Sequence, residues 1–78
     1  MMKLQRTRAE HIAWAKARAL EETHAHLVIA SFTSDLTKHA ETRVVAGDVG
    51  STLTALLVGV PPAERLAAVR AAIERFPE

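Results

Sequence analysis

The chain predicts an all-α fold: a small antiparallel bundle of about four helices, two longer and two shorter. Three observations carry that reading. Apolar residues recur at helical rather than strand spacing along nearly the whole chain. Thr7 and Glu10 have the spacing of a capping box and stand just before the first such run. Gly59 with Pro61-Pro62, and later Pro77, give the stop signals that separate and end the last two helices.

The first helix is expected from the Thr7 cap to about Thr23, in a stretch rich in Ala, Leu, Lys, Arg and Glu. Its inward face is read as Ala9, Ile12, Ala13, Lys16, Ala19 and Leu20, with the Lys16 stem lying over apolar neighbours. The second helix, roughly His24 to His39, carries a core stripe of Ala25, Val28, Ile29, Phe32 and Leu36. Its opposite stripe, Ser31, Ser34, Asp35 and Lys38, is wholly polar. Residues 40–47 read as a linker leading to Asp48, a good N-cap residue. A third helix follows from about Val49 to Val58, turning Val49, Leu53, Leu56 and Leu57 inward, with Gly50 marking close approach of another backbone and Gly59 as its cap. The fourth, about Ala63 to Phe76, turns Leu66, Val69, Ile73 and Phe76 inward.

Size and composition limit the rest. With 78 residues, residues 1–78 are expected to form one helical domain, of which 1–6 are a flexible basic arm. Of the 49% hydrophobic residues, 15 are alanine, so the core is thin for a domain that buries only about 60% of its unfolded surface. Self-association is the expected remedy, with alanines 13, 17, 19, 67, 68, 71 and 72 on the first and fourth helices allowing close approach. The absence of cysteine removes any disulfide framework. No secretory signal and no apolar run of spanning length are seen, so a soluble intracellular protein without a membrane partner is expected. Ten Lys and Arg against nine Asp and Glu leave a net charge of +1, which makes nucleic acid an unlikely main partner.

Few constellations carry chemistry. His24 and His26 are two apart, a spacing that points helical side chains away from each other, and no third ligand stands at metal spacing. Residues 47–50, Gly-Asp-Val-Gly, lack the strand and the Lys-Ser/Thr pair of a phosphate loop. There is no cysteine nucleophile, no serine elbow and no carboxylate pair in a cleft, so neither catalysis, metal nor cofactor is expected. Lys3, Arg6 and Arg8 form a short basic stretch that reads as solubilising charge. Ser51, Thr52 and Thr54 would serve poorly as base readers on a recognition helix.

The most informative set joins two helices. His11, Trp14 and Arg18, at i, i+3 and i+7, lie off the expected apolar stripe of the first helix. Ser31, Ser34, Asp35, Lys38 and His39 face outward on the second, where Asp35 could orient the His39 ring four residues on. An aromatic plate with cations and hydroxyls suits an anionic planar ligand such as a nucleotide, the ring stacking a base and Arg and Lys holding phosphate. The same groups suit a protein interface built on a Trp/Arg hot spot. Trp14 closing the edge of the core is the third reading, and residue types alone leave the three open.

Two segments, residues 10–21 and 29–42, carry the pattern H-x-x-W-x-K-x-R-A-L-E followed by A-S-x-x-S-D-L-x-K-H-x-E-T. The chain thereby resembles a family of small uncharacterised proteins encoded by tailed bacteriophages. His11, Trp14, Lys16, Arg18, Ser31, Ser34, Asp35, Lys38, His39, Glu41 and Thr42 match position by position, and a looser likeness runs to the Arg-Phe end. Ala15 departs where cysteine is common, Ala40 where proline is usual, and residues 53–59 where Met-rich sequence is typical. The resemblance implies a phage or prophage product of the host bacterial cytoplasm that works by binding. Its expected role is a non-enzymatic accessory protein that sequesters a nucleotide-type immune signal to counter host defence. The alternatives are an inhibitor of a host protein through helix-face contacts, or a small DNA-associated regulator.

Overall fold

A computed structural model describes residues 7–78, and the basic arm expected over 1–6 lies outside the described residues. Four α-helices follow one another: α1 (Arg8–Ala19), α2 (Ala25–Leu36), α3 (Ala40–Gly59) and α4 (Arg65–Glu74), the last preceded by a 3-10 turn at Pro62–Glu64. No strand occurs among the described residues, and the architecture is the small all-α bundle expected. No helix among them is long and apolar enough to cross a membrane.

The capping box forms as expected: the Glu10 amide donates to Thr7 Oγ1 at 3.1 Å and the Thr7 amide to Glu10 Oε1 at 2.9 Å. α1 stops at Ala19 rather than Thr23, for a reason local sequence does not contain. Arg70 of α4 donates from Nη2 to the carbonyls of Glu22 (2.8 Å) and Leu20 (3.4 Å), which satisfies acceptors that a longer helix would have used. The buried face of α1 is also turned from the one expected. His11, Ile12, Ala15 and Ala19 are buried, whereas Ala9 and Ala13 are exposed. Lys16 does lie down as expected, its ammonium donating to the Glu74 carbonyl and to Glu78 Oε2, both at 3.3 Å. Arg8, the last residue of the N-terminal basic stretch, is the first helical residue, as the Thr7 cap implies, and donates to the Glu78 carbonyl at 3.2 Å.

The expected linker over 40–47 is helix. His39 is extended (φ −128°, ψ 135°) and its Nδ1 accepts the Glu41 amide at 3.0 Å, so the N-cap of α3 is His39 and not Asp48. Across this corner Thr42 Oγ1 donates to the Leu36 carbonyl at 2.5 Å and Arg43 Nε to the Thr37 carbonyl at 3.0 Å, closing the last turn of α2. α3 then continues through Gly47 and Gly50, each costing about 1 kcal/mol relative to alanine, because Thr42, Ala46 and Leu53 bury one side of all 20 residues. Packing overrides propensity here. The close neighbour of Gly50 is a side chain rather than a backbone: a Cβ there would lie 3.2 Å from Thr33 Cγ2. Gly59 ends α3 without a positive φ, and the extended Val60 is the C-cap residue.

α2 packs against the other three helices. Its Val28, Phe32 and Leu36 are fully buried with Ile12 of α1 and with Val69 and Ile73 of α4. Phe32 meets Phe76 edge-on, centroids 5.4 Å apart. The apolar stripes expected on α2 and α4 are therefore the ones that form the core. Phe32→Ala is expected to cost about 3–5 kcal/mol in urea denaturation through the cavity it leaves. Thr42→Val, which keeps the volume but orphans the Leu36 carbonyl, is expected to cost about 1–3 kcal/mol.

Candidate functional site

Where α1 crosses α2, six of the eight singled-out residues gather in one cluster around Asp35, whose carboxylate two of them, Arg18 and Lys38, contact. Asp35 sits in the last turn of α2 on the side that faces α1, with its side chain only 3% exposed. This corrects the wholly polar, outward stripe expected on the second helix. A buried carboxylate must be compensated, and Asp35 is. Arg18 Nε donates to Oδ2 at 2.7 Å and Lys38 Nζ to Oδ1 at 3.1 Å. The two cations remain about half exposed, so they keep much of their hydration while the carboxylate loses its own. Desolvation therefore falls mainly on one of the three ions.

The backbone of the same residue is held as well. His11 Nε2 donates to the Asp35 carbonyl at 2.6 Å; a carbonyl can only accept, so the ring proton is on Nε2. His11 is itself buried, which corrects its placement off the apolar stripe. Its ring lies between Trp14 (centroids 5.2 Å) and His39 (5.1 Å), giving a row of three tilted rings along the α1–α2 seam. His39 is buried too, and its Nδ1 accepts the Glu41 amide at the α3 cap; α2 ends at Leu36, so His39 stands beyond the helix that its four-residue spacing from Asp35 assumed.

Trp14 is half-buried at the rim. The Arg18 guanidinium carbon stands 4.9 Å from its ring centroid and Lys38 Nζ 5.7 Å, both within cation–π range. Two readings of Trp14 thus coexist: it borders the core, and it floors a pair of outward cations. The position above the ring where a stacked base would lie is taken by those cations. Ser31 and Ser34 do not join the cluster. Ser31 is half-buried, and Ser34 opens instead onto a groove of about 800 Å³ between α2 and α3, lined also by Ala30, Thr37, Gly47 and Thr54.

No group of three His, Cys, Asp or Glu that could hold a metal ion occurs among the described residues. The His24 and His26 rings are not directed apart as their spacing suggested. His24 is the extended N-cap residue of α2, and its ring centroid lies 5.9 Å from that of His26 on the exposed surface. What spacing alone missed is Arg70, whose reach from α4 to the end of α1 fixes the angle at which α1 leaves the cluster.

The charge arrangement makes an asymmetric prediction. Removing both cations (Arg18→Ala with Lys38→Ala) leaves a buried uncompensated carboxylate, and is expected to cost about 3 kcal/mol or more at neutral pH. Asp35→Asn leaves two half-exposed cations that water can serve, and is expected to cost clearly less in the same denaturation experiment. Equal losses would contradict the charge argument. Compared with known protein families, curated proteins and solved structures, the chain has no match.

Proposed function

We propose that the chain is a non-enzymatic accessory protein of the bacteriophage type that binds an acidic surface of a host protein through its Trp14–Arg18–Lys38 face. The observation that carries the reading is the fixed geometry of two cations over one indole, held from below by a buried carboxylate. Arg18 contacts Asp35 through Nε and keeps about half of its side chain exposed, which supports a role for its terminal nitrogens in meeting a carboxylate of the partner. Because the rotamers of Arg18 and Lys38 are already constrained, less side-chain entropy is lost on binding. The three groups together carry one net positive charge, enough to orient an acidic partner, whereas the near-neutral chain disfavours nucleic acid. A binding role also agrees with the chemistry of the cluster: its carboxylate and cations are engaged with one another, and each buried imidazole spends a nitrogen on a backbone hydrogen bond.

A nucleotide-type signal is the second reading, favoured by the same half-exposed guanidinium, which suits phosphate as well as carboxylate. It lacks an open plate for the base, since Arg18 and Lys38 stand over Trp14. Trp14 is the one tryptophan of the chain, so its fluorescence reports on this face alone. The proposal expects a Glu-rich peptide to shift that fluorescence, and immobilised protein to retain one stoichiometric partner from bacterial lysate. Arg18→Lys, which still compensates Asp35 but lacks the planar fork, is expected to weaken both by about tenfold. Saturable quenching by a cyclic or ADP-ribose-type nucleotide, lost in Arg18→Lys, would establish the nucleotide reading instead. Neither response would refute both.

A further inference from the structure

The chain has four histidines, and the fold uses them differently. His24 and His26 are exposed at the start of α2. His11 and His39 are only 3% and 4% exposed, and their rings lie against each other where α1, α2 and α3 meet. Both rings are held by main-chain hydrogen bonds, and the two bonds run in opposite senses. His11 donates from Nε2 to the Asp35 carbonyl, so a second proton on its Nδ1 leaves that bond in place. His39 accepts at Nδ1 from the Glu41 amide at 3.0 Å, so its proton is on Nε2 and its bond needs a free lone pair. Protonated there, the ring would set one N–H against another.

That lone pair holds the start of α3. The Thr42 and Arg43 amides donate to the His39 carbonyl at 3.2 and 2.9 Å, whereas the Glu41 amide is met by the imidazole. The one buried carboxylate near this corner is already engaged. From α1 the ring faces His11, with Arg18 further along. α2 brings Asp35, bound by Arg18 and Lys38, and Lys38 directly precedes His39 in the chain. α3 brings Glu41, which is exposed to water, and Arg43, which donates to the Thr37 carbonyl. We propose that His39 is a proton-operated cap: protonation at Nδ1 releases the first turn of α3 and opens the α2–α3 corner.

The direction of the effect follows from which form of the ring each state accepts. The closed corner takes only neutral His39, while the opened chain binds a proton freely. Acidification through the ordinary histidine range, about pH 6.5, therefore favours the open form. A single ring limits the response to about tenfold in the opening equilibrium per pH unit. Opening also bears on the contacts that flank the cap, the Thr42 hydroxyl on the Leu36 carbonyl and Lys38 on Asp35. The device is local, since Val28, Phe32, Val69 and Ile73 of the core carry no titratable group. It does not depend on what the Trp14 face binds.

Amide hydrogen exchange of the full chain, followed by NMR from about pH 7.5 to about pH 5, tests the proposal. The protection factor of the Glu41 amide, which already corrects for the pH dependence of intrinsic exchange, is expected to fall by about tenfold or more across that range. His39→Asn keeps a capping acceptor that does not titrate, and is expected to hold Glu41 protection constant with pH. His11→Gln, whose amide can still donate to the Asp35 carbonyl, is expected to keep the dependence of the unaltered protein. The nitrogen chemical shifts of the His39 ring need no variant, and are expected to show an unprotonated Nδ1 wherever Glu41 is protected. Constant Glu41 protection in the unaltered protein, or a protonated His39 Nδ1 with Glu41 still protected, would overturn the inference. So would an undiminished pH dependence in His39→Asn, or its loss in His11→Gln.

Discussion

One buried carboxylate organises the half of the molecule that faces outward with chemistry. Asp35 is taken out of water where α1 meets α2, and leaving it there uncompensated would cost several kcal/mol. Arg18 answers from α1 and Lys38 from the end of α2, while His11 holds the Asp35 backbone. These three contacts set the rotation of α1 about its own axis. That rotation puts Trp14 beneath both cations and sends Ala9 and Ala13 to solvent. The corner that follows is part of the same construction, because His39, next along from Lys38, packs on His11 and caps α3.

Packing constrains the other half. α2 is the element that touches all others, and its Val28, Phe32 and Leu36 are matched by branched apolar residues of α1 and α4. α3 contributes few fully buried apolar side chains, Ala46 and Leu53 chief among them. Its remaining apolar content is divided between a half-buried inner side and the outward Val44 and Val58.

Legibility in the sequence follows from how distinct the side chains are. The stripes of α2 and α4 are readable because Val, Ile, Leu and Phe stand out against their neighbours. The phase of α1 is not, because Ala13 and Ala15 are chemically identical and only tertiary contact decides which is buried. The helical nature of residues 40–47 is hidden by Val44-Val45 and Gly47, whose propensities argue against helix and are outweighed by the burial of Thr42 and Ala46. At the site, Trp14, Arg18, Asp35 and Lys38 are legible as a set through their helical spacing. The burial of Asp35 is not, since an acid among Ser, Thr and Lys looks like one more solvated residue. Ser34 shares the stripe on paper, yet it opens onto the groove between α2 and α3, while Ser31 is half-buried outside the cluster.

The central claim is that Asp35 fixes Arg18 and Lys38 over Trp14, and proton NMR reads that arrangement directly. The account predicts a slowly exchanging Arg18 Nε proton and upfield ring-current shifts of the Lys38 side-chain methylenes, both collapsing toward unstructured values in Asp35→Asn. Rapid exchange and unshifted methylenes in the unaltered protein, or shifts that persist without the carboxylate, would contradict it.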